Sequence, residues 1–529
     1  MKRILFLILV FSVLQGVTQN LPYEFDLRDV DGQNYVTDVE NQEAGTCWTF
    51  STAAAMESNL LMTDIWNLSG EEGQPDLAEY HMDWWNGFND YFNDDAGSPS
   101  GNGIALHQGG SYRMASAYLT RGTGAVRNED GQSFENPPEQ YNMEYHLFRP
   151  RHIVWLNAGE DLENINEIKQ AIKNHGAIGS CIAYDEDFID WQYNHYQPPE
   201  SDEEPNHAVT IIGWNDRRIT AAPMRGAWLC KNSWGPSWGN NGYFWVSYYD
   251  KYAGKHPTLG AVVFSDVRRP EFDNFYYHDY HGWVDTLQGA QSIMNHYVAG
   301  QSEFIKSISF VTAANEVDYY LRIYKSFENN QLSDMVYEHE GTVEYTGFHA
   351  TDLNPVVQLQ EGEDFYIYLR LSHGGYAYDR THTPNVLLGE GSKELVPSDA
   401  KPDESYYRVN SNWKDFYDYD DPSGHMHSGN FCLKAYTMYN PPTGMKNRPQ
   451  PSEINVTVSG KSLRISQISG NTRLEQLKIF STDGRLVCTK KLGHSKNRNV
   501  LLTGLPTGIY IYTLNGNQGH LKSGKFMLR

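Results

Sequence analysis

From about residue 270 to 438 apolar and polar positions alternate with period two. No run in this region holds the 3.6-residue spacing of a helix. Segments such as FIKSISFVTA, VDYYLRIYKS, GEDFYIYLRLSH and GNFCLKAYTM predict strands packed as a β-sandwich. From Glu453 onward shorter alternating runs (INVTVSGKSLRISQ, LEQLKIFSTDGRLV, LPTGIYIYTLN) are broken by Ser-Gly, Asp-Gly and Thr-Gly turns, predicting a second, smaller all-β domain over 453–529. The Pro-rich stretch 439–452 suits a linker between them. Residues 21–265 mix two kinds of element. Trp48–Met62 lacks Gly and Pro and predicts a helix. Glu163–His175 sets Ile165, Ile168 and Ile172 on one face and stops at Gly176, which predicts a core-packed helix. Apolar β-like runs follow at NHAVTIIGW and AWLCKN. The pattern is α+β first and all-β afterwards.

The first 19 residues break this pattern. Lys2 and Arg3 precede a short apolar run, Ile4–Leu14, and then small or polar residues: a secretory signal peptide, too short to span a membrane. The chain, 529 residues long, is therefore expected outside the cytoplasm. Forty-two basic against 66 acidic residues leave a net charge of −24, which argues against nucleic acid as a partner. Five cysteines are too few for a disulfide scaffold, and the odd number leaves a thiol over. Cys181, Cys230, Cys432 and Cys488 read as small apolar residues.

Cys47 differs because it opens the first predicted helix, where unpaired N–H groups and the helix dipole favour a thiolate. His207 begins an apolar strand, and Asn232 lies between another strand and an aromatic, Gly-rich loop (KNSWGPSWGNNGYF). A thiol needs a base, and the base needs a third group to fix its tautomer. Gln42 lies upstream of the thiol and can donate an N–H to an oxyanion.

The segments FDLRD, NQ…GTCW, NHAVTIIGW and KNSWG…SWG…NGYFWVSYYD resemble, in order, the papain-like cysteine peptidases. The resemblance implies an α+β catalytic domain with a helical lobe and a β-barrel lobe. It implies Cys47 as nucleophile, His207 as base and acid, Asn232 as orienting residue and Gln42 as oxyanion donor. It further implies that Trp234 shields the His–Asn contact and that Gly109, Gly110, Asn206 and Cys181 line the substrate cleft. Three local departures accompany it: Ala44 or Gly45 stands where the family carries a cysteine, Thr46 replaces serine, and Gln42 stands five residues before Cys47 instead of six. The expected mature start, LPYEFDLRD, follows the signal almost at once, with no room for an inhibitory pro-segment.

Residues 270–438 resemble the lectin-like domain of certain prokaryotic peptidases of this type. The tail, with STDGRLV, LPTGIYIYTL and a terminal Lys-Phe-Met-Leu-Arg, is similar to the type IX secretion sorting domain, an Ig-like fold. These imply a Bacteroidetes-type source, crossing of the outer membrane, and a secreted or surface-held protein. The expectation is a monomeric endopeptidase acting on proteins without a cofactor. Glycans are a further expected partner, because Tyr406, Tyr407, Trp413, Phe416, Tyr417 and Tyr419 alternate with Asp415, Asp418, Asp420 and Asp421. That same run offers carboxylates to Ca²⁺, though such a run is more often a loop whose rings pack on their own sheet. The acidic run Glu200–Glu204 reads as a solvated loop, or as an overhang favouring basic substrates. A rival from another class is a non-catalytic adhesin on a relic peptidase fold.

Overall fold

In the computed structural model the described residues are 21–95, 102–387, 394–440 and, in the tail, the strands between 454 and 528 with the few residues beside them. The expected signal peptide and most of the expected linker lie outside the described residues.

The predicted first helix runs Cys47–Thr63 and is buried from Cys47 to Leu60, with Asp64 closing it in the left-handed region. A helix buried all round shows no amphipathic stripe, and its polar side chains need partners. Thr52 Oγ1 donates to Trp48 O at 2.8 Å, Ser51 Oγ to Val209 O at 3.0 Å and Asn59 Nδ2 to His175 O at 2.8 Å. The helix lies against the strand His207–Asn215. That strand is central to an antiparallel set: Ile178–Ile182 pairs on one side and Ala227–Lys231 on the other. The second predicted helix is Ile165–His175, with Ile168 and Ile172 fully buried and Gly176 at φ 99°.

Among the described residues of 274–438 the regular elements are strands and one short 3-10 turn, Phe416–Asp418. A six-stranded sheet with Asp364–Leu371 and Ser292–Val298 at its middle faces strands that include Glu303–Thr312, and one apolar cluster fills the space between them. The aromatic-acidic run packs largely inward, with Trp413 7% and Phe416 2% exposed.

The expected division between 21–265 and 270–438 is bridged in two ways. The strand His152–Leu156 pairs with Gly347–Leu359 edge to edge, aligning Val154 with Gly347. Gly347 is needed there, because a Cβ would sit 2.1 Å from Ile153 O. Apolar residues of both regions, Trp48, Tyr112, Phe264, Phe348, Leu387 and Tyr436 among them, also share a single buried cluster. Residues up to Tyr439 therefore make one compact unit and Asn440–Arg529 a second. The second unit has a three- and a four-stranded sheet around Leu463, Leu477, Leu514 and Phe526. Among the described residues no helix is long and apolar enough to cross a membrane.

Candidate active site

Cys47 is the first helical residue and is 1% exposed. The Ala208 N–H donates to Sγ at 3.4 Å, so the thiol lies beside the residue that follows His207. His207 Nε2 donates to Asn232 Oδ1 at 2.7 Å, which leaves Nδ1 as the basic nitrogen. Asn232 Oδ1 also accepts the Ser233 N–H at 2.8 Å, so the amide is held from its own chain. Trp234 stacks on the imidazole with centroids 4.4 Å apart and planes 25° from parallel, and Tyr184 meets its indole edge-on at 4.6 Å. These contacts keep water from the His–Asn bond.

Gln42 reaches the site through its neighbours. Its N–H donates to Ser233 O at 2.7 Å, and its Oε1 accepts the Ser233 hydroxyl at 2.6 Å. With the amide so turned, Nε2 spends one hydrogen on Ala44 O at 2.8 Å and keeps the other. The loop that is one residue short is accommodated at Ala44, which takes φ 52°. Gly109 stands at φ 98°, and Gly110 packs so closely on Trp48 that a Cβ would fall 2.3 Å from the indole. Asn206 does not turn its side chain to the cleft, because its amide is used at both ends by the Tyr184 backbone, at 2.7 and 3.0 Å. Cys181 aligns with Ala208 and is wholly buried in the cluster that contains Cys47. All five cysteines are unpaired.

The charge state differs from that expected at a helix start. Burial pushes the Cys47 thiol up to about 11, outweighing the N–H groups of Ala208, Trp48 and Cys47 itself. Burial likewise lowers His207 to about 4, against the opposing pull of Asn232. Desolvation disfavours both charged forms, so thiol and imidazole rest neutral here.

One contact at the thiol has no counterpart in the sequence motifs. Leu387, from the β-rich region, presents its carbonyl to Cys47 Sγ at 3.9 Å, and its N–H donates to Gly110 O at 2.8 Å. Sequence reasoning also missed the group behind the site. There Glu57 accepts from Thr37 Oγ1 at 2.6 Å and Lys231 Nζ donates to the same hydroxyl at 3.0 Å, with Glu40 and Glu79 lining the same small cavity. Nothing in residue spacing ties these carboxylates together.

In the aromatic-acidic run, carboxylates that the sequence offered to Ca²⁺ take up backbone and hydroxyl donors. Asp415 accepts the N–H groups of Asp403 and Tyr417, and Asp421 accepts from Ser423 and Tyr378. Among the described residues the metal-capable set that converges is Asp95, His281 and Asp379. His281 Nε2 donates to Gly87 O at 3.0 Å, so its bare Nδ1, buried and without a hydrogen-bond partner, faces Asp95 Oδ2 at 3.7 Å. Two carboxylates and a lone pair facing one another suit a divalent cation.

Fold and site define a papain-type thiol centre joined to a β-sandwich, and comparison with known families agrees. Residues 21–72 and 107–256 match the papain family cysteine protease, 275–437 a lectin-like domain, and 449–529 a secretion system C-terminal sorting domain. The chain thus carries a papain-family cysteine protease domain, a lectin-like domain and a sorting domain.

Among particular relatives, it is 29% identical over 229 residues to a viral cathepsin of Cydia pomonella granulosis virus and 28% over 218 residues to pro-cathepsin H of Bos taurus. Those matches take in 43% and 40% of this chain, which spans only 57% and 56% of the two relatives' lengths. Among solved structures it is similar to the clostridial cysteine protease Cwp84 after propeptide cleavage, at TM-score 0.63 and 22% identity, covering 79% of this chain and 99% of that one. A structure of the cysteine protease and lectin-like domains of Cwp84, a surface layer associated protein of Clostridium difficile, gives TM-score 0.60 at 21% identity, covering 80% and 90%. At these identities the structural likeness speaks for the fold.

Proposed function

We propose that the chain is a secreted cysteine endopeptidase that hydrolyses proteins through Cys47, His207 and Asn232. The observation that carries this reading is the assembly of thiol, imidazole and amide from three separate elements, with the His207–Asn232 bond at 2.7 Å under the Trp234 indole. Cys47 Sγ passes its proton to His207 Nδ1 and attacks the peptide carbonyl carbon. The oxyanion is held by the Cys47 N–H and the free hydrogen of Gln42 Nε2. His207 then protonates the leaving amine, and water hydrolyses the thioester with the same imidazole as base. In this reading the substrate chain runs between a helical and a barrel lobe along Gly109–Gly110. The hydrolysis itself uses no cofactor.

The sorting domain supports export by the type IX machinery and a secreted or surface location, with the Ig-like tail as its address. We take the protein to be a monomer, with glycans as candidate ligands of its lectin-like domain. A resident divalent cation belongs between Asp95, His281 and Asp379, where the orphaned His281 Nδ1 faces carboxylate oxygen. The relic-fold adhesin is disfavoured, because a binding module gains nothing from a base oriented by a buried amide.

Digestion of a denatured protein, with fragments read by mass spectrometry, tests the proposal. Internal cleavages support an endopeptidase. Release of single N-terminal residues points to an aminopeptidase instead, and peptide joining to a transpeptidase.

A further inference from the structure

The thiol is covered by the protein's own chain. Residues 382 and 396 pair as a narrow bridge, with His382 N–H to Val396 O at 3.1 Å and Val396 N–H to His382 O at 2.8 Å. This root is clamped to the protease domain: Asn93 Nδ2 donates to Pro397 O at 2.9 Å, and Asp95 Oδ2 accepts Ser398 Oγ at 2.6 Å and the Asp399 N–H at 3.0 Å. From the root the chain runs inward, burying Pro384, Val386 and Leu387, the last with no exposed surface. Leu387 makes the two contacts already described, its N–H to Gly110 O and its carbonyl O to Cys47 Sγ. Gly110 belongs to the Gly109–Gly110 stretch along which the proposed function runs the substrate chain, so Leu387 occupies its carbonyl in the substrate's place.

We propose that residues 382–387 are a built-in inhibitor, a strap from the lectin-like domain that fills the substrate cleft and keeps the peptidase latent until it is displaced. The inference rests on the peptidase reading above and adds its regulation. The strap copies the way a substrate backbone pairs but not its reactive geometry. Its carbonyl oxygen faces the sulfur as a hydrogen-bond acceptor, so the carbon is not offered for attack. That distinction separates an inhibitor from a substrate awaiting cleavage. Leu387 O is also among the groups that close over the buried thiol. A cavity of about 260 Å³, lined by Arg113, Trp283, Arg380, His382, Pro384 and Asn385, adjoins the root of the strap. A segment with room beside it can retreat without unfolding the sheets that carry it.

The test uses the full chain. Cys47 alkylation by iodoacetamide at neutral pH is followed by mass spectrometry for the unaltered protein, for Leu387→Asp, which puts a charge in the cleft, and for Leu387→Pro, which removes the N–H donated to Gly110. Alkylation at least ten times faster in both variants is expected, and equal rates in all three overturn the proposal. To guard against misfolded variants, hydrogen exchange is measured on the unaltered protein before and after alkylation. Amides of 382–387 are expected to be protected at first and exposed once Cys47 is modified; protection that survives modification overturns the proposal. Peptide hydrolysis in the same samples separates the two readings. Faster alkylation without hydrolysis keeps the strap and removes the peptidase, whereas equal hydrolysis by all three proteins does the reverse.

Discussion

The orienting role of Asn232 yields a number. Truncation in Asn232→Ala removes the oxygen that accepts His207 Nε2–H at 2.7 Å, and the ring is left inside a site where His207 is 4% exposed. A buried donor without a partner costs about 1–3 kcal/mol. At about 1.4 kcal/mol per factor of ten, that predicts a fall of roughly 5- to 150-fold in kcat/KM. Trp234 still stacks on the ring at 4.4 Å, so the imidazole stays in place and loses its fixed tautomer. The loss therefore falls on kcat, with KM nearly unchanged. Asn232→Asp restores an acceptor and adds a negative charge, which raises the His207 pKa and moves the acid limb of the rate profile upward. All three proteins are compared on one peptide in the Leu387→Asp background, so that access to the cleft is the same. A change below twofold in Asn232→Ala, with no movement of the acid limb in Asn232→Asp, refutes the role assigned to this amide.

Gly110→Ala drives a Cβ to 2.3 Å from the fully buried Trp48, so a loss of about 1–3 kcal/mol is expected in denaturant unfolding, together with weaker peptide binding. Burial raises Glu57 to about 7 and Glu79 well above 4.5, and Glu40, Lys231 and Thr37 face them. Raised carboxyls contribute stability below their unfolded pKa and lose it as pH climbs through the folded one. Unfolding free energy should thus fall between about pH 4.5 and 7, and Glu57→Gln should flatten the fall. A divalent cation at 100 times its Kd stabilises a folded site by about 2.7 kcal/mol. Calcium, manganese or zinc should therefore raise the Tm, EDTA should reverse it and Asp379→Asn should abolish it; no shift with any of the three contradicts the site.

The parts of the site that were legible in the chain are those built from local patterns. A run without Gly or Pro put Cys47 at a helix start, and apolar runs put His207 at the head of a strand and Asn232 at the end of one. Ser233 lay within the same motif and could have been read with them. What stayed hidden depends on contacts between distant residues. Leu387 meets a sulfur 340 positions away with no period or charge to announce it. Asp95 and Asp379 approach His281 only because the protease and lectin-like regions share a core. The raised thiol is of the same kind: the helix dipole is a local effect, whereas burial by residues distant in sequence is not. The aromatic-acidic run left two readings open, and Trp413 and Phe416 follow the one in which the rings pack on their own sheet.

The account stands on Cys47 as the nucleophile of a peptide hydrolase. The most direct test compares hydrolysis of a denatured protein by Cys47→Ala and by its parent, each in the unaltered and in the Leu387→Asp background, with matched Tm values confirming the fold. Loss of all hydrolysis above background in both Cys47→Ala proteins is predicted. Hydrolysis that persists in either of them contradicts the central claim.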